Sequence, residues 1–147
     1  MLLHLALTAA ALSSFASAGQ WEANFYAGYD CGWDLNRTDY YSVYGTAALC
    51  VYAGNPLQVD IDCTWWTTES GNTGDPCTAP MLDPRPMSFE ASATTECTLW
   101  IGNGACLDDH AQVVNIVGDS KTCTRLDYPA DASPENGVSF SCWVAKG

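Results

Sequence analysis

The chain has 147 residues, eight of them cysteines, and its 17 acidic against 5 basic side chains give a formal net charge of −12. This length fits one domain or two very small ones. The acidity disfavours nucleic acids and anionic membrane surfaces as partners, because both bind basic protein surfaces. Hydrophobic residues make up 48% of the chain, which is too much for a disordered protein.

The first 18 residues have the pattern of a secretion signal. Leu2–Leu12 is rich in leucine and alanine, and Ala16-Ser17-Ala18 places small residues where signal peptidase requires them. The stretch is too short to span a bilayer, and a buried N-terminal helix is the alternative interpretation. We therefore predict that residues 1–18 are a cleaved signal peptide. Residues 19–147 would then form a single secreted, extracellular domain without membrane insertion.

All the cysteines fall within residues 19–147. An even number in a small secreted domain predicts four disulfides, each stabilising the fold by about 2–4 kcal/mol. Metal binding is the rival use, but no Cys-x-x-Cys motif occurs and His110 is the only histidine after residue 18. The sequence leaves the pairing open among the predicted disulfide cysteines Cys31, Cys50, Cys63, Cys77, Cys97, Cys106, Cys123 and Cys142.

A long irregular connection divides the chain. Residues 67–88 contain four of the seven prolines, which prevent a regular helix, and no residue alternation typical of a strand. The connection is longer than usual loops, which indicates a boundary between structural units. We place one unit at residues 24–66 and the other at 89–147.

The two units have similar cysteine spacing, which predicts an internal repeat of β-units. The offsets are 75, 73 and 79 residues for the matched pairs Cys31 and Cys106, Cys50 and Cys123, and Cys63 and Cys142. The closing runs Val59–Cys63 and Val138–Cys142 also share apolar residues at every second position, typical of strands with one inward face. Chance similarity between eight cysteines is the alternative.

Strand signals dominate the rest of the chain. Tyr40–Tyr44 and Gln112–Val117 are short runs of β-branched or aromatic residues, and glycine-containing turns separate such runs. Few segments have the helical period. The pattern predicts an all-β sandwich or barrel.

The aromatic residues are candidates for binding. Trp65 and Trp66 are adjacent, so on a strand one ring faces the core and the other faces solvent. An exposed ring there, with Tyr40, Tyr41 or Tyr44, would stack on a sugar or dock a partner. The alternative is that the rings fill the core, which we expect of Trp21, Trp33, Trp100 and Trp143.

A search for catalytic motifs leaves one enzymatic alternative. Motifs of serine hydrolases, zinc peptidases and phosphate-binding loops are absent from the sequence. A small acidic ribonuclease would need a glutamate base, a histidine acid and an arginine on the phosphate. The available residues are Glu90 or Glu96, His110, and Arg85 or Arg125, but their spacing does not single them out and the net charge opposes RNA.

One glycosylation sequon, Asn36-Arg37-Thr38, lies between two predicted strands. Its position in a polar loop suits a glycan on Asn36, so we predict a glycoprotein.

Short motifs carry a resemblance to a known superfamily. Phe25 is followed by Gly32, and at the same spacing Trp100 is followed by Leu107. With the closing strands, these residues resemble the Greek-key motifs of βγ-crystallins, particularly the cysteine-rich forms in small secreted microbial and fungal proteins. That family places an aromatic residue before a folded-over hairpin containing glycine, and Leu107 departs from this pattern.

The resemblance implies a fold and a disulfide pattern. We expect two Greek-key motifs that form a disulfide-stapled, βγ-crystallin-like sandwich. With the symmetry of two such motifs, the pairs expected within the units are Cys31–Cys50, Cys106–Cys123 and Cys97–Cys142, which leaves Cys63 for Cys77 of the connection.

The resemblance also raises calcium binding. Many microbial members hold calcium through an acidic pair followed by two hydroxyl residues. The nearest match is Gly118–Cys123, where Asp119 remains but glycine replaces the first acid and cysteine the final serine. One aspartate and a serine are a thin ligand set for calcium. We therefore predict no metal and no cofactor.

The small, cysteine-rich, secreted format and the resemblance together predict function. We expect a non-enzymatic protein that acts by surface binding, a fungal effector or toxin-like monomer whose partner is an unidentified extracellular protein or glycan. The alternatives are a cell-wall carbohydrate-binding module, with Trp65 and Trp66 as the candidate binding residues, and the ribonuclease.

Overall fold

The computed structural model describes residues 19–32, 39–52, 60–67, 74–77, 86–102, 106–107, 111–118, 122–128, 130 and 137–146. All the regular secondary structure in these ranges is β-strand, which confirms the all-β prediction. The strands are β1 (Trp21–Tyr26), β2 (Tyr40–Gly45), β3 (Val51–Tyr52), β4 (Ile61–Trp66), β5 (Asp75–Pro76), β6 (Ser88–Ala91), β7 (Thr95–Ile101), β8 (Gln112–Val117), β9 (Thr124–Arg125) and β10 (Val138–Val144). The predicted signal peptide lies outside the described residues.

The strands form two antiparallel sheets. The first sheet has the order β5-β4-β2-β1-β6-β9, and the second has the order β3-β10-β7-β8. The short strand β3 belongs to the first half of the chain but lies in the second sheet, while β9 from the second half completes the first sheet. The two halves therefore exchange one strand each.

The exchange gives both sheets the same core of four strands. In the first sheet these are β2-β1-β6-β9, and in the second they are β8-β7-β10-β3. Thus β1 corresponds to β7, β2 to β8, β6 to β10, and β9 to β3. We expected β4 to correspond to β10, but β4 lies beyond β2 and extends the first sheet. The strand equivalent to β10 is β6, at the boundary between the expected connection and second unit.

The inner faces of the two sheets form one hydrophobic core. Phe25 of β1 lies 4.8 Å from Phe89 of β6 and 4.7 Å from Phe140 of β10, measured between ring centroids. All three rings are fully buried, and each such burial stabilises the fold by about 1.5–3 kcal/mol. The core is therefore continuous across both sheets.

The strand register corrects the match between Phe25 and Trp100 that the sequence suggested. Phe25 pairs with Phe89, and in the second sheet Leu99 pairs with Phe140, so Leu99 is the equivalent of Phe25. Trp100 corresponds instead to Tyr26. Its side chain is 8% exposed, but the alternation of β7 places it on the outer face, outside the core cluster.

The eight cysteines form four disulfides, as predicted in number. Two pairs match the expectation, Cys97–Cys142 and Cys63–Cys77. The expected pairs Cys31–Cys50 and Cys106–Cys123 are wrong, because the structure joins Cys31 to Cys123 and Cys50 to Cys106. The Cα atoms are 5.7 and 5.9 Å apart in these two bonds, which therefore link the halves to each other.

The corner after the first strand of each half has the same backbone conformation. Gly32 has φ 72° and Leu107 has φ 73°, in the left-handed region that glycine favours. Leu107 therefore has the φ angle of the corresponding glycine although it carries a side chain. In the first half, Ser88 closes the corner: its hydroxyl donates to the Gly28 carbonyl at 2.6 Å and accepts from the Cys31 amide at 3.0 Å.

Glycines stand at equivalent places where β2 and β8 end. A Cβ on Gly118 would collide with the backbone carbonyl oxygens of Ser92 and Thr95. A Cβ on Gly45 would lie 2.8 Å from both Ile61 Cδ1 and Trp21 Cζ2. This close packing leaves no room for a side chain at position 118.

Candidate binding face

The outer face of the first sheet carries a row of aromatic rings. Tyr26 pairs with Tyr40 across β1 and β2, and Tyr40 pairs with Trp66 across β2 and β4. The ring centroids are 5.3 Å apart in the first pair and 6.1 Å apart in the second, with nearly parallel planes. We call these three residues the aromatic row, and the outer surface of the first sheet the ladder face.

The two adjacent tryptophans point in opposite directions, as the period of a strand requires. Trp65 packs against the core with its ring centroid 4.1 Å from that of Tyr41. Trp66 lies in the aromatic row. Of the tyrosines considered with them, Tyr41 is buried in the core, while Tyr40 and Tyr44 lie on the ladder face.

The tyrosines of the aromatic row remain protonated over the ordinary pH range. The Tyr26 hydroxyl donates to Glu90 Oε2 at 3.1 Å. Burial, followed by the negative charge of Glu90, raises the pKa of Tyr26 far above its usual value. Burial and then the charge of Glu22 raise the pKa of Tyr40. Both hydroxyls are therefore hydrogen-bond donors on this face.

An open cleft lies on the ladder face, near the start of β1. Its volume is about 360 Å³. One carboxylate projects into it, that of Glu22, whose Oε1 accepts a hydrogen bond from the Ser42 hydroxyl at 3.3 Å. The lining is polar, and consists of Gln20, Glu22, Ser42, Tyr44, Ser92 and Thr94.

The second sheet explains why the cleft exists. There Trp143 pairs with Glu96, and its indole nitrogen donates to Glu96 Oε2 at 3.0 Å. The equivalent of Glu96 in the first sheet is Glu22, and the equivalent of Trp143 is Ser92, whose amide donates to the Glu22 carbonyl at 3.1 Å. A small serine thus occupies the place of a large indole, which leaves the Glu22 carboxylate accessible.

The ladder face is acidic. Glu22, Asp62 and Glu90 project from it, and the only basic residue in the six strands of this sheet is Arg125 on the edge strand β9. Arg125 is engaged elsewhere, because its Nε lies 2.8 Å from Asp127 Oδ1 and its guanidinium lies 4.3 Å from the Tyr29 ring centroid. The negative charges of the face are therefore not neutralised by basic residues of the described strands.

Two polar atoms on the ladder face are buried without a hydrogen-bond partner among the described residues. They are Oδ1 of Asn24, in the centre of the sheet, and Nε1 of Trp66. A buried polar atom left unpaired costs about 1–3 kcal/mol, so such atoms are uncommon in folded proteins. Both belong to residues of the ladder face, but the atoms themselves lie beneath its surface.

The outer face of the second sheet has a different character. Val113 and Val117 of β8 are 51% and 70% exposed, at the positions equivalent to Tyr40 and Tyr44. Between them, Asn115 accepts a hydrogen bond from Thr98 at 2.8 Å. This face has no aromatic row across its described strands.

The structure describes only part of the ribonuclease set. Glu90 lies on the outer face of the first sheet, and Glu96 lies on the outer face of the second. His110 and Arg85 lie outside the described residues, as do Asn36 of the sequon and Asp119 of the calcium motif. In the described ranges, no group of three or more His, Cys, Asp or Glu side chains could hold a metal ion.

A protein-family model matches residues 21–142, and its description is "Secreted LysM effector LysM14, C-terminal domain". The chain belongs to this family. The match extends over both sheets and includes the exchanged strands β3 and β9. No curated protein and no solved structure matches the chain at a significant level.

Membership of the LysM14 C-terminal domain family confirms that the protein is secreted and extracellular. It also places the chain in an effector family. In the part of the chain that the structure describes, no helix has the length and apolarity needed to cross a membrane.

Sequence reasoning found the tryptophans of the site but missed Glu22, Asn24 and Ser92. A signal for the first two was present, because alternation along β1 places Glu22, Asn24 and Tyr26 on one face. Nothing in the sequence marks Ser92. Its role depends on the comparison with Trp143, which requires the strand correspondence.

Proposed function

We propose that this protein is a secreted effector that acts outside the cell by binding rather than by catalysis, with the ladder face as its binding surface. The observation that carries the proposal is the polar cleft at Glu22, which is continuous with a sheet face bearing the aromatic row. Binding sites are typically concave and combine aromatic surface with a few polar groups. Membership of an effector family supports the same conclusion.

A non-enzymatic action is supported by the distribution of chemical groups. All eight cysteines are in disulfides, so none offers a thiolate. The Tyr40 hydroxyl is held protonated, which suits donation of a hydrogen bond to a ligand.

We further propose that the two halves are Greek-key units of the βγ-crystallin type and that β6 closes the first. The common strand order of the two sheets supports this proposal, and so does the shared left-handed conformation at Gly32 and Leu107. A fungal source, which the resemblance implies, is part of the same proposal.

The binding proposal is tested by closing the cleft. The variant Ser92→Trp places an indole where the second sheet already accommodates one, so the fold tolerates it. The control Val117→Trp adds the same side chain to an exposed position of the opposite face. Each oxidised protein, residues 19–147, is fluorescently labelled and incubated with insoluble cell-wall polysaccharide and with a secreted-protein fraction.

We expect the unaltered protein and Val117→Trp to be retained on one of these materials, and Ser92→Trp to bind at least tenfold more weakly. Circular dichroism verifies that the three proteins have the same strand content. Equal retention of all three proteins, or retention of none on either material, contradicts the proposal.

A further inference from the structure

The lining of the cleft suits a ligand rich in hydroxyl groups. Thr94 and Tyr44 offer hydroxyls that both donate and accept hydrogen bonds, and Gln20 adds an amide. The Ser42 and Ser92 hydroxyls already bond to Glu22 and Thr95, and their oxygens keep the capacity to accept. Such a mixed lining matches the alternating donors and acceptors of a sugar better than the fixed pattern of a peptide backbone.

Two carboxylates flank a tyrosine ring on this face. In the register of the sheet, Tyr44 lies between Glu22 on β1 and Asp62 on β4. The flanking strands are two strand spacings apart, about 10 Å, which leaves room for a small cation above the ring. A cation there gains attraction from both carboxylates and from the π face of Tyr44.

The acidic groups of the face exclude one class of sugar and favour another. A glycan bearing carboxylate or sulfate groups would be repelled by Glu22, Asp62 and Glu90. Arg125, the one basic residue in the described strands of this sheet, is already paired with Asp127. A neutral glycan would leave these charges unused. A glycan with free amino groups places ammonium ions beside them, and its ring C–H surfaces contact the aromatic row.

We propose that the ladder face binds an amino-sugar glycan whose amino groups are free, with an ammonium group held between Glu22 and Asp62 over Tyr44. This inference rests on the proposed binding function and specifies its ligand. Charge complementarity carries it: the cationic groups of the ligand meet unneutralised carboxylates, while its hydroxyls meet the cleft.

The test compares oligosaccharides of one length that differ only at one substituent: a glucosamine oligomer, its N-acetylated form and the corresponding glucose oligomer. Affinities are measured by isothermal titration calorimetry at pH 5.5 and low salt, where the amino groups are protonated. Oligolysine serves as a cation without sugar. The variants are Glu22→Gln and the matched control Glu96→Gln, which removes the same charge from the equivalent position of the other face.

We expect the glucosamine oligomer to bind at least tenfold more tightly than the other two glycans, and Glu22→Gln to remove most of that preference. Glu96→Gln should retain the full preference. Oligolysine should bind more weakly than the glucosamine oligomer, because it cannot use the cleft.

Two results overturn the inference. If the unaltered protein binds the three glycans with equal affinity and Ser92→Trp binds none of them, the binding function stands but the amino group has no role in it. If oligolysine binds as tightly as the glucosamine oligomer, and Glu22→Gln weakens both to the same extent, the ladder face binds a basic peptide instead. A different result overturns the proposed function itself: Ser92→Trp binding to cell-wall polysaccharide and to secreted proteins as strongly as the unaltered protein does.

Discussion

The two outer faces of this protein are built on equivalent strands and carry different side chains. At one position β1 has Glu22 and β7 has Glu96, so the acid is common to both. Its neighbour is Ser92 in the first sheet, where the cleft lies, and Trp143 in the second, where the indole bonds to the acid. A repeated scaffold thus allows one face to be filled while the other stays open, through the size of a single side chain.

The inner faces differ less, because the core constrains them. Cys97 and Cys142 form a disulfide across β7 and β10, with Cα atoms 4.1 Å apart. At the equivalent positions of the first sheet, Ala23 pairs with Ala91. Both solutions place small side chains at the same crowded point, and each is fully or almost fully buried.

The largest expected effect concerns the disulfides that join the halves. Replacing Cys31 and Cys123 by alanine should lower the free energy of unfolding by about 4 kcal/mol, since the bond closes a long loop. Replacing Cys50 and Cys106 should cost about the same, also about 4 kcal/mol. Urea denaturation of the two double variants measures both.

Near-equal losses would support the equivalence of the two halves at these corners. The local pair Cys63 and Cys77, separated by 14 residues, is the control, and its removal should cost less, about 3 kcal/mol. A loss below about 1 kcal/mol for one cross-link only would break the comparison.

A smaller effect is expected at the two strand-end glycines. Gly118→Ala should destabilise the protein by about 3 kcal/mol, because the added carbon meets fixed backbone carbonyls. Gly45→Ala should cost less, about 1–2 kcal/mol, since its added carbon meets only one backbone carbonyl, that of Asp60 at 2.9 Å, and two side-chain atoms. Thermal unfolding of the two variants ranks them, and the reverse order would contradict the packing described for Gly118.

The corners should respond to substitution with opposite signs. Leu107→Gly should stabilise the protein by about 1 kcal/mol, because a leucine at φ 73° is strained and its side chain is 83% exposed. Gly32→Ala should destabilise it by about 1 kcal/mol for the same reason. Chemical denaturation gives both values, and a loss of stability in Leu107→Gly would show that the leucine makes a contact of its own.

The smallest effect is seen only in alkali. The pKa values of Tyr26 and Tyr40 are raised above 10.0, so the fold favours their protonated forms. That stabilisation is present below pH 10 and is lost as the pH rises from 10 through the higher pKa values of the folded protein. The free energy of unfolding should therefore fall above pH 10, and less steeply in Tyr26→Phe.

Ultraviolet titration of the tyrosines checks this directly. In the absence of denaturant, Tyr26 and Tyr40 should ionise only as the protein unfolds. In denaturant, they should ionise near the ordinary tyrosine pKa. Identical titration curves in the two conditions would contradict the burial described for Tyr26.

Local pattern was enough to predict the strands but not the pairing between them. The β-branched composition of Gln112–Val117 predicted β8, and Trp65-Trp66 predicted one inward and one outward ring. The cysteine offsets matched Cys31 with Cys106 and Cys50 with Cys123, which are equivalent in the structure. Knowing which cysteines are equivalent does not show which ones are neighbours, however. Disulfides within the halves and disulfides between the halves are equally compatible with the internal repeat.

The closing strand of the first half illustrates the same limit. Ile61 and Cys63 alternate like the residues of β10, so the sequence favoured them over Ser88–Ala91. The choice between β4 and β6 depends on which strand reaches β1, and that contact is far away in the chain. The cleft was unpredictable for the same reason, since Ser92 gains its meaning from Trp143 in another sheet.

The exchange of β3 and β9, each anchored by a disulfide at its start, has a consequence for survival among extracellular proteases. A protease that cuts the chain once between the two halves would leave both fragments joined by Cys31–Cys123 and Cys50–Cys106. The nicked molecule would migrate as one particle until reduced, with its binding face still assembled from both fragments. Bonds confined to each half would instead have let the fragments drift apart after a single cleavage.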